Sequence, residues 1–359
     1  MRRALASHLL LALLAALTVY FVQYALSDYA LTLLELVMLN VALALSLQVT
    51  NGLTGLFSLG HPAFMTVGAY VAAILTYPVR RKGFMMPDLP SWLAGSEWGL
   101  LPALLAAALA AALLALLVGF SVLRLKGHYL AVATLGLIII VRTVVNNLDG
   151  WTRGGLGLSG VPRLTGPWTV YAFLVLVWYL CWRIKHSSYG RAMMAMRENE
   201  LAARCTGVDV FALQLFAFVF GAAVAGAAGA LTVHLVTVVT PGAYGIPLAF
   251  LLVVIVVLGG QGSLTGAAIA AIALGLLSEF LRPLEERLEL YGLSQALVAL
   301  ALLLVLRFRP SGFFGSREPA LLSGQTVKRQ GDRRWPRKTG TSSSRMSGCD
   351  PSKPRVPLS

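Results

Sequence analysis

The sequence predicts an all-α polytopic membrane protein with about ten transmembrane helices, and three observations support this prediction. Of the 359 residues, 57% are hydrophobic and only 12% are charged, whereas charged residues make up roughly a quarter of a soluble domain. Apolar runs recur along the chain, and a run of about 20 such residues is enough to cross a bilayer. Uncharged glycine-rich segments interrupt the apolar pattern twice. An ordinary soluble domain is therefore excluded.

Ten apolar runs, separated by charged residues, glycines and prolines, are the expected spans. The first follows Arg2 and Arg3 and is long for the apolar core of a signal peptide, so an uncleaved helix is expected there. The eighth is short. The runs cover residues 5–26, 30–50, 62–78, 99–123, 128–147, 168–184, 211–235, 247–259, 264–281 and 291–306.

Two glycine-rich stretches are predicted to break helices inside the bundle. Irregular backbone survives at membrane depth only where protein or a water-filled cavity satisfies its polar groups. Such breaks in both halves of a chain are typical of transporters built from internal repeats, and the sequence leaves a repeat here open. The first break (residues 52–60, with the adjoining His61) supplies Gly52, Gly55, Ser58 and Gly60, and the second break (residues 259–263) supplies Gly259, Gly260 and Gly262. His61 is expected to cap a helix or pack, since no second metal ligand stands at a useful spacing.

The seventh run carries a helix-packing pattern of small residues. Ala217, Gly221, Ala225 and Gly229 recur every four residues, a spacing that lets transmembrane backbones approach closely. A tight contact with another helix is expected along this face.

The net charge of +14 is concentrated near the carboxyl terminus, where 12 Lys/Arg and 3 Asp/Glu lie from Arg307 onward. Basic residues mark cytoplasmic segments, so both termini and a loop at residues 185–208 are expected in the cytoplasm. Residues 316–359 are predicted to form a disordered tail that is attracted, at most, to anionic lipid headgroups. Nucleic-acid binding is not expected, because no folded basic face accompanies the tail.

No catalytic or nucleotide-binding motif is present. The chain lacks G-x-x-x-x-G-K-[ST], H-E-x-x-H and G-x-S-x-G, the signatures of phosphate-binding loops, zinc proteases and serine hydrolases. Its three cysteines are far apart and in no metal-ligand spacing. Nothing therefore indicates an enzyme or a metal site, and uphill transport would need an ion gradient or a separate ATPase.

The loop at residues 185–208, called the coupling loop below, is predicted to contain one short amphipathic helix. Glu198 and Glu200 are expected near its positive amino-terminal end and Gly207 after its last turn. Apolar Leu201, Ala202 and Cys205 would then face a partner, although the composition taken alone favours a solvated basic loop. The residues expected to couple to a partner are Arg197, Glu198, Glu200, Leu201, Ala202, Ala203 and Gly207.

Several stretches, taken together, resemble a known family. ELAARCTG at 200–207 is similar to the EAA-type loop of ABC importer permeases, although the glutamate stands one residue early. Six further segments resemble the branched-chain amino-acid ABC permeases, specifically their M-type subunit. They are GLTGLFSLGHPAFMTVGAY at 52–70, KGHYLAVATL at 126–135, RTVVNN at 142–147, TRGGLGLSGVP at 152–162, LGGQGSLTG at 258–266 and RFRPSGFFG at 307–315. The resemblance spans roughly residues 40–315.

This resemblance implies a permease domain over residues 1–315 in a bacterial inner membrane. Its expected partners are a second homologous permease, two cytoplasmic ABC ATPases docked on the coupling loop, and an extracytoplasmic solute-binding protein. ATP and Mg²⁺ would be used by the ATPases, and no cofactor by this chain. Branched-chain or related amino acids are the expected solutes. Urea or another small polar solute is the closest alternative; an ion-coupled carrier or a channel is less favoured.

Polar residues in the fifth run are candidates for the solute pathway. Arg142 lies within an apolar stretch and Asn146 and Asn147 follow one turn later. Intramembrane charge is costly and indicates a role by default. Snorkelling or structural pairing of Arg142 near the helix end is an equally good explanation.

Overall fold

The computed structural model of the protein describes residues 20, 23, 27–125, 127–288, 292–308 and 315. Every predicted span from residue 30 onward coincides with a helix, which confirms the all-α prediction. The first predicted span, residues 5–26, lies outside the described residues except for Tyr20 and Gln23, and so does the predicted tail at 316–359.

Fourteen helices and two short strands are found in the described part of the chain. The helices are α1 (Asp28–Leu47, continued by a π-helical turn Gln48–Leu53), α2 (His61–Thr76), α3 (Val79–Met85), α4 (Ser91–Ala94), α5 (Leu100–Val122), α6 (His128–Asn147), α7 (Asp149–Thr152), α8 (Pro167–His186), α9 (Ser188–Glu198), α10 (Glu200–Cys205), α11 (Val210–Val236), α12 (Ile246–Gly259), α13 (Leu264–Leu288) and α14 (Leu293–Phe308). A 3₁₀ turn covers Gly154–Leu156, and the strands are β1 (Leu158–Ser159) and β2 (Val238–Val239).

Six of these helical segments are long and apolar enough to cross a membrane. They are Asp28–Leu53, Leu100–Val122, His128–Asn147, Pro167–His186, Val210–Val236 and Leu264–Leu281. Helices α2 and α12 are also apolar but have only 16 and 14 residues. Both short helices adjoin a glycine-rich break: α2 follows the first, and α12 runs into the second.

The centre of the bundle is a tight three-helix contact between α2, α5 and α11. A Cβ atom added to Gly68 of α2 would lie 2.1 Å from the carbonyl oxygen of Gly226, and one added to Gly229 would lie 2.2 Å from that of Met65. Small residues leave room for the two backbones to approach closely. The van der Waals packing between them then favours association of the helices in lipid. The structure confirms the close contact predicted for the small face of α11.

Helix α5 contributes a second small face that the sequence also contains. Ala103, Ala107, Ala111 and Ala115 are fully buried, while its leucines, including Leu105, are largely exposed. The four-residue spacing of these alanines is the same signal that identified the α11 face. The exposed leucines are suited to lipid or to a neighbouring subunit.

The segments between the long helices lie at the two ends of the bundle. The end that holds both breaks, the α5–α6 turn and the coupling loop is called the loop end, after the coupling loop. The opposite end holds residues 77–99, 148–166 and 237–245, where β1 pairs antiparallel with β2 and the hydroxyl of Tyr77 donates to the carbonyl of Ser159 at 2.7 Å. The fold therefore places the helix breaks and the coupling loop at one end of the bundle, and the two-stranded sheet at the other.

Lys82 organises the segment at the opposite end between α2 and α5. Its side chain is fully buried, and its ammonium group donates to the carbonyl oxygens of Leu93, at 3.1 Å, and of Ser96. Burial lowers the pKa of Lys82, and the carboxylate of Glu97 partly opposes that effect. Because the unfolded segment then binds more protons, its stability rises as the pH increases from the lowered pKa toward the ordinary lysine value of about 10.4.

We expect Lys82→Met to loosen residues 79–98, because the ammonium group that joins the carbonyls of Leu93 and Ser96 is lost and a hydrogen bond to a charged group contributes about 1.5–3 kcal/mol. Faster amide hydrogen exchange in peptides from this segment is the measurement. Arg80→Met is the matched control, since Arg80 is exposed on the same helix and its loss should leave exchange unchanged. Equal exchange in the two variants would show that Lys82 does not hold the segment together.

Candidate functional site: the coupling loop and the two helix breaks

The first break begins where α1 widens into the π-helical turn and ends where α2 starts. Asn51 closes it on itself, because its side-chain amide donates to the carbonyl of Ser58 at 3.0 Å and its Oδ1 accepts from the Ser58 amide at 3.2 Å. The backbone amide of Leu59 donates to the hydroxyl of Thr134 on α6 at 3.0 Å. Side chains thus satisfy irregular backbone, as predicted for a break inside a bundle.

His61 begins α2 immediately behind the first break and is buried at 3% exposure. Its Nε2 lies 3.2 Å from the hydroxyl of Ser46, and Thr50 donates to the carbonyl of Ala217 at 3.1 Å. A Cβ on Gly221 would come within 2.6 Å of the Thr50 hydroxyl and 3.2 Å of the His61 ring. The small face of α11 therefore admits the polar side chains behind the break, and His61 packs there as expected.

The second break is held by side chains from three separate elements. Gln48, in the π-helical turn, donates to the carbonyl of Gly260 at 2.8 Å. Lys185, in the last turn of α8, donates to that of Gly262 at 2.6 Å. The intervening carbonyl, that of Gln261, accepts from Nη1 of Arg197 at 3.2 Å. Three consecutive carbonyls therefore have donors, two of them cationic, and the break has a defined shape.

Arg197 also contacts the first break. The same Nη1 atom donates to the carbonyl of Gly52 at 2.6 Å. Gly55 has φ of +76° and lies against the arginine stem, where an added Cβ would be 3.0 Å from Cγ. One guanidinium nitrogen thus joins the coupling loop to both breaks, and we call these two hydrogen bonds the Arg197 bridge.

The coupling loop folds as two helices, so the prediction of one helix is wrong. Asn199 interrupts it with φ −155° and ψ 104°, and its Oδ1 accepts from the Ala202 amide at 3.0 Å to cap α10. Glu198 consequently ends α9, at the negative end of a helix dipole, while Glu200 begins α10 at the favourable positive end. Gly207, with φ of +86°, follows α10 in the left-handed conformation expected of it.

The outer surface of α10 is an exposed part of the coupling loop that another molecule can reach. Leu201 is 76% exposed and Ala202 is also exposed, whereas Ala203 is only 4% exposed and packs inward. Arg204 forms an ion pair with Glu200 at 2.6 Å beside them. Leu201 and Ala202 are accessible, their contact with a partner stays a prediction, and Ala203 supports the helix from within.

An open cleft of about 520 Å³ separates the coupling loop from the bundle. The first break forms one wall, the α5–α6 turn another, and α9, α10 and the start of α11 the third. Three arginines and one glutamate face it: Arg124, Arg197, Arg204 and Glu200. The loop accordingly has space in which to move against the first break.

Arg142, Asn146 and Asn147 lie apart from both breaks. They occupy the last turns of α6 near the opposite end, where Arg142 is exposed beside Gly242. The side chain of Asn147 donates to the carbonyl of Thr143 at 2.7 Å, within its own helix. Arg142 is thus on an outer surface of this chain, and the structure does not bring these residues together with the break residues.

Sequence reasoning missed three residues that hold the breaks, namely Gln48, Lys185 and Thr134. Gln48 and Thr134 are polar residues inside apolar runs, which is a usable signal in a membrane protein. Lys185 is hidden among other basic residues of the loop. Across the described residues, no three His, Cys, Asp or Glu side chains are grouped so as to hold a metal ion.

The bundle combines membrane-length helices with breaks whose backbone polar groups are satisfied by buried polar side chains. This is the architecture of a multi-pass transport permease. The comparison with protein families specifies which one. The chain belongs to the family described as "Branched-chain amino acid transport system / permease component", whose family model matches residues 29–306.

Individual relatives agree with this family. The high-affinity branched-chain amino acid transport system permease protein LivM of Escherichia coli is 30% identical over 320 residues, covering 80% of this chain and 70% of the relative. The corresponding LivH protein of Salmonella typhimurium is 25% identical over 298 residues, covering 77% of this chain and 91% of the relative. The resemblance to the M-type subunit is confirmed. No solved structure matches the chain.

Proposed function

We propose that this chain is the membrane-spanning subunit of an ATP-driven importer for branched-chain or related amino acids. The observation that carries the proposal is the coupling loop, which exposes α10 and is joined to both helix breaks through Arg197 of the preceding helix α9. A loop that is exposed on one side and bonded to the transport core on the other is suited to transmit movement from a partner. The solute class is supported by the printed names of the relatives.

The proposed complex contains a second, homologous permease, two cytoplasmic ABC ATPases and an extracytoplasmic solute-binding protein. Similarity of one chain to both LivM and LivH supports pairing between two related permeases. The sequence has no phosphate-binding loop, so ATP and Mg²⁺ are assigned to the ATPases and hydrolysis is not assigned to this chain. The exposed leucines of α5 and the exposed face of α6 offer surfaces to lipid or to the second permease.

The proposed location is the bacterial inner membrane with the loop end in the cytoplasm. Five basic residues of the α8–α10 region, among them Arg191, Arg197 and Arg204, support this orientation through the positive-inside tendency. Both termini would then be cytoplasmic. The opposite end, including the exposed Arg142 and Asn147, would face the binding protein and, with Asn146, border a pathway lying between this chain and its partner permease.

Transport by the complex reconstituted in proteoliposomes tests the proposal. With ATP inside, binding protein outside and all ion gradients collapsed by ionophores, we expect uptake of labelled leucine to persist. Replacing ATP by a non-hydrolysable analogue is the control and should stop uptake. Uptake that survives without ATP but disappears with the ion gradients would identify an ion-coupled carrier. Competition by unlabelled valine, isoleucine or urea distinguishes the proposed solutes from the alternative.

A further inference from the structure

We propose that Arg197 is the positioning residue that couples the importer, because its bridge fastens the coupling loop to both helix breaks and must be released for the loop end to open. This inference rests on the proposed function. It assigns to one side chain the step between movement of the loop and rearrangement of the core helices.

The geometry of the bridge makes it a junction between distant parts of the chain. Nη1 of Arg197 donates to the carbonyl of Gly52 at 2.6 Å and to that of Gln261 at 3.2 Å. Gly52 ends the first long helix and Gln261 follows the short helix α12. A single nitrogen that binds both carbonyls holds the two breaks beside each other and beside α9.

The aliphatic part of the Arg197 side chain is packed in place, as is its guanidinium group. The glycine at position 55 leaves room for the Arg197 side chain, since a Cβ there would be 3.0 Å from Cγ and its φ of +76° suits glycine. The stem also lines the cleft that separates the loop from the first break. Displacement of the loop across this cleft therefore pulls on Gly52 through a short, defined linkage.

The two breaks keep different hydrogen bonds to the rest of the chain when the Arg197 bridge opens. The second break keeps Gln48 on Gly260 and Lys185 on Gly262, so it stays attached to α1 and α8. Gly52 lies in the last turn of a helix, where carbonyls lack intrahelical donors, and Arg197 is its donor from outside that helix. Opening the bridge consequently releases Gly52 and the residues after it from the second break, while Gln48 still joins the start of the π-helical turn to Gly260. This is the movement assigned to the opening of the loop end.

Arg197→Met tests the bridge, because methionine keeps an unbranched apolar stem against Gly55 and removes both donated hydrogen bonds. Arg191→Met is the matched control: Arg191 is exposed on the same helix α9, and its guanidinium donates to the carbonyl of His186 and to neither break. Each variant is assembled with the ATPases, the second permease and the binding protein. Three quantities are then measured: the amount of co-purified ATPase, ATP hydrolysis with and without loaded binding protein, and leucine uptake per ATP hydrolysed.

For Arg197→Met we expect normal ATPase association, retained basal hydrolysis and a fall in uptake per ATP of about tenfold or more, since charge-assisted hydrogen bonds are lost from the coupling path. Arg197→Lys keeps one cation and should restore part of the ratio. Arg191→Met should stay within about twofold of wild type, because its hydrogen bond to His186 involves neither break.

Unchanged uptake per ATP in Arg197→Met would overturn the proposal. Loss of ATPase association in that variant would also overturn it, because Arg197 would then serve docking and not coupling. Absence of ATP-driven uptake in the wild-type complex would instead reject the proposed function and the bridge with it.

Discussion

Leu201→Asp is expected to separate the permease from its ATPases and to reduce leucine uptake to background. The leucine side chain is 76% exposed at the start of α10, where it can enter an apolar groove of a partner. Burying a neutral polar group in such a groove without a hydrogen-bond partner costs on the order of 2–7 kcal/mol, and an ionised carboxylate costs more. Co-purification of the ATPases with the tagged permease, followed by uptake in proteoliposomes, measures both effects.

Leu156→Asp is the matched control, because Leu156 is 75% exposed at the opposite end of the bundle. It should leave ATPase association unchanged while adding the same charge. Ala203→Asp would be uninformative, since Ala203 is buried within this chain and a charge there would disturb α10 itself. ATPase association at the wild-type level in Leu201→Asp would show that α10 is not the docking element.

Gly68→Ala is expected to prevent stable folding even though it adds one methyl group. The new Cβ would lie 2.1 Å from the carbonyl oxygen of Gly226 and 2.5 Å from its carbonyl carbon, and backbone atoms in the middle of a helix cannot rotate away. Helices α2 and α11 would have to separate, and overpacking of this kind costs about 1–3 kcal/mol or more. Thermal unfolding in detergent and the yield of monodisperse protein are the measurements.

Gly136→Ala is the control for that substitution, because Gly136 lies in α6 with no atom within 4 Å of an added Cβ. Alanine there should be neutral or stabilising by up to about 1 kcal/mol through helix propensity. If both variants unfold at the wild-type temperature, the close approach of α2 and α11 does not contribute to stability.

Helices were predictable because their signal is local. Apolar runs gave the positions of nine described helices, and glycine clusters gave both breaks. The four-residue spacing predicts the small face of α11, and the same spacing from Ala103 to Ala115 marks the small face of α5. The division of the coupling loop at Asn199 was missed because an asparagine between two glutamates is compatible with a continuous amphipathic helix as well as with a cap.

Contacts across the bundle could not be predicted, because they depend on which loops meet. Gln48 and Gly260 are 212 residues apart, and no local pattern links them. Arg197 was expected to border a partner surface, yet its guanidinium is turned toward the breaks. For Arg142 the sequence left a place in the solute pathway and a place near the helix end equally open; Arg142 is exposed, and a single sequence does not tell which face of α6 its neighbours cover.

The two short helices have a consequence for the barrier itself. At 1.5 Å per residue, the 16 residues of α2 and the 14 of α12 extend about 24 Å and about 21 Å, less than the hydrocarbon thickness of about 30 Å. Polar backbone therefore starts below the headgroup level on the loop side, beside a water-accessible cleft. In the proposed importer, a solute that crossed next to these two helices would meet a thinner apolar layer than the bilayer presents.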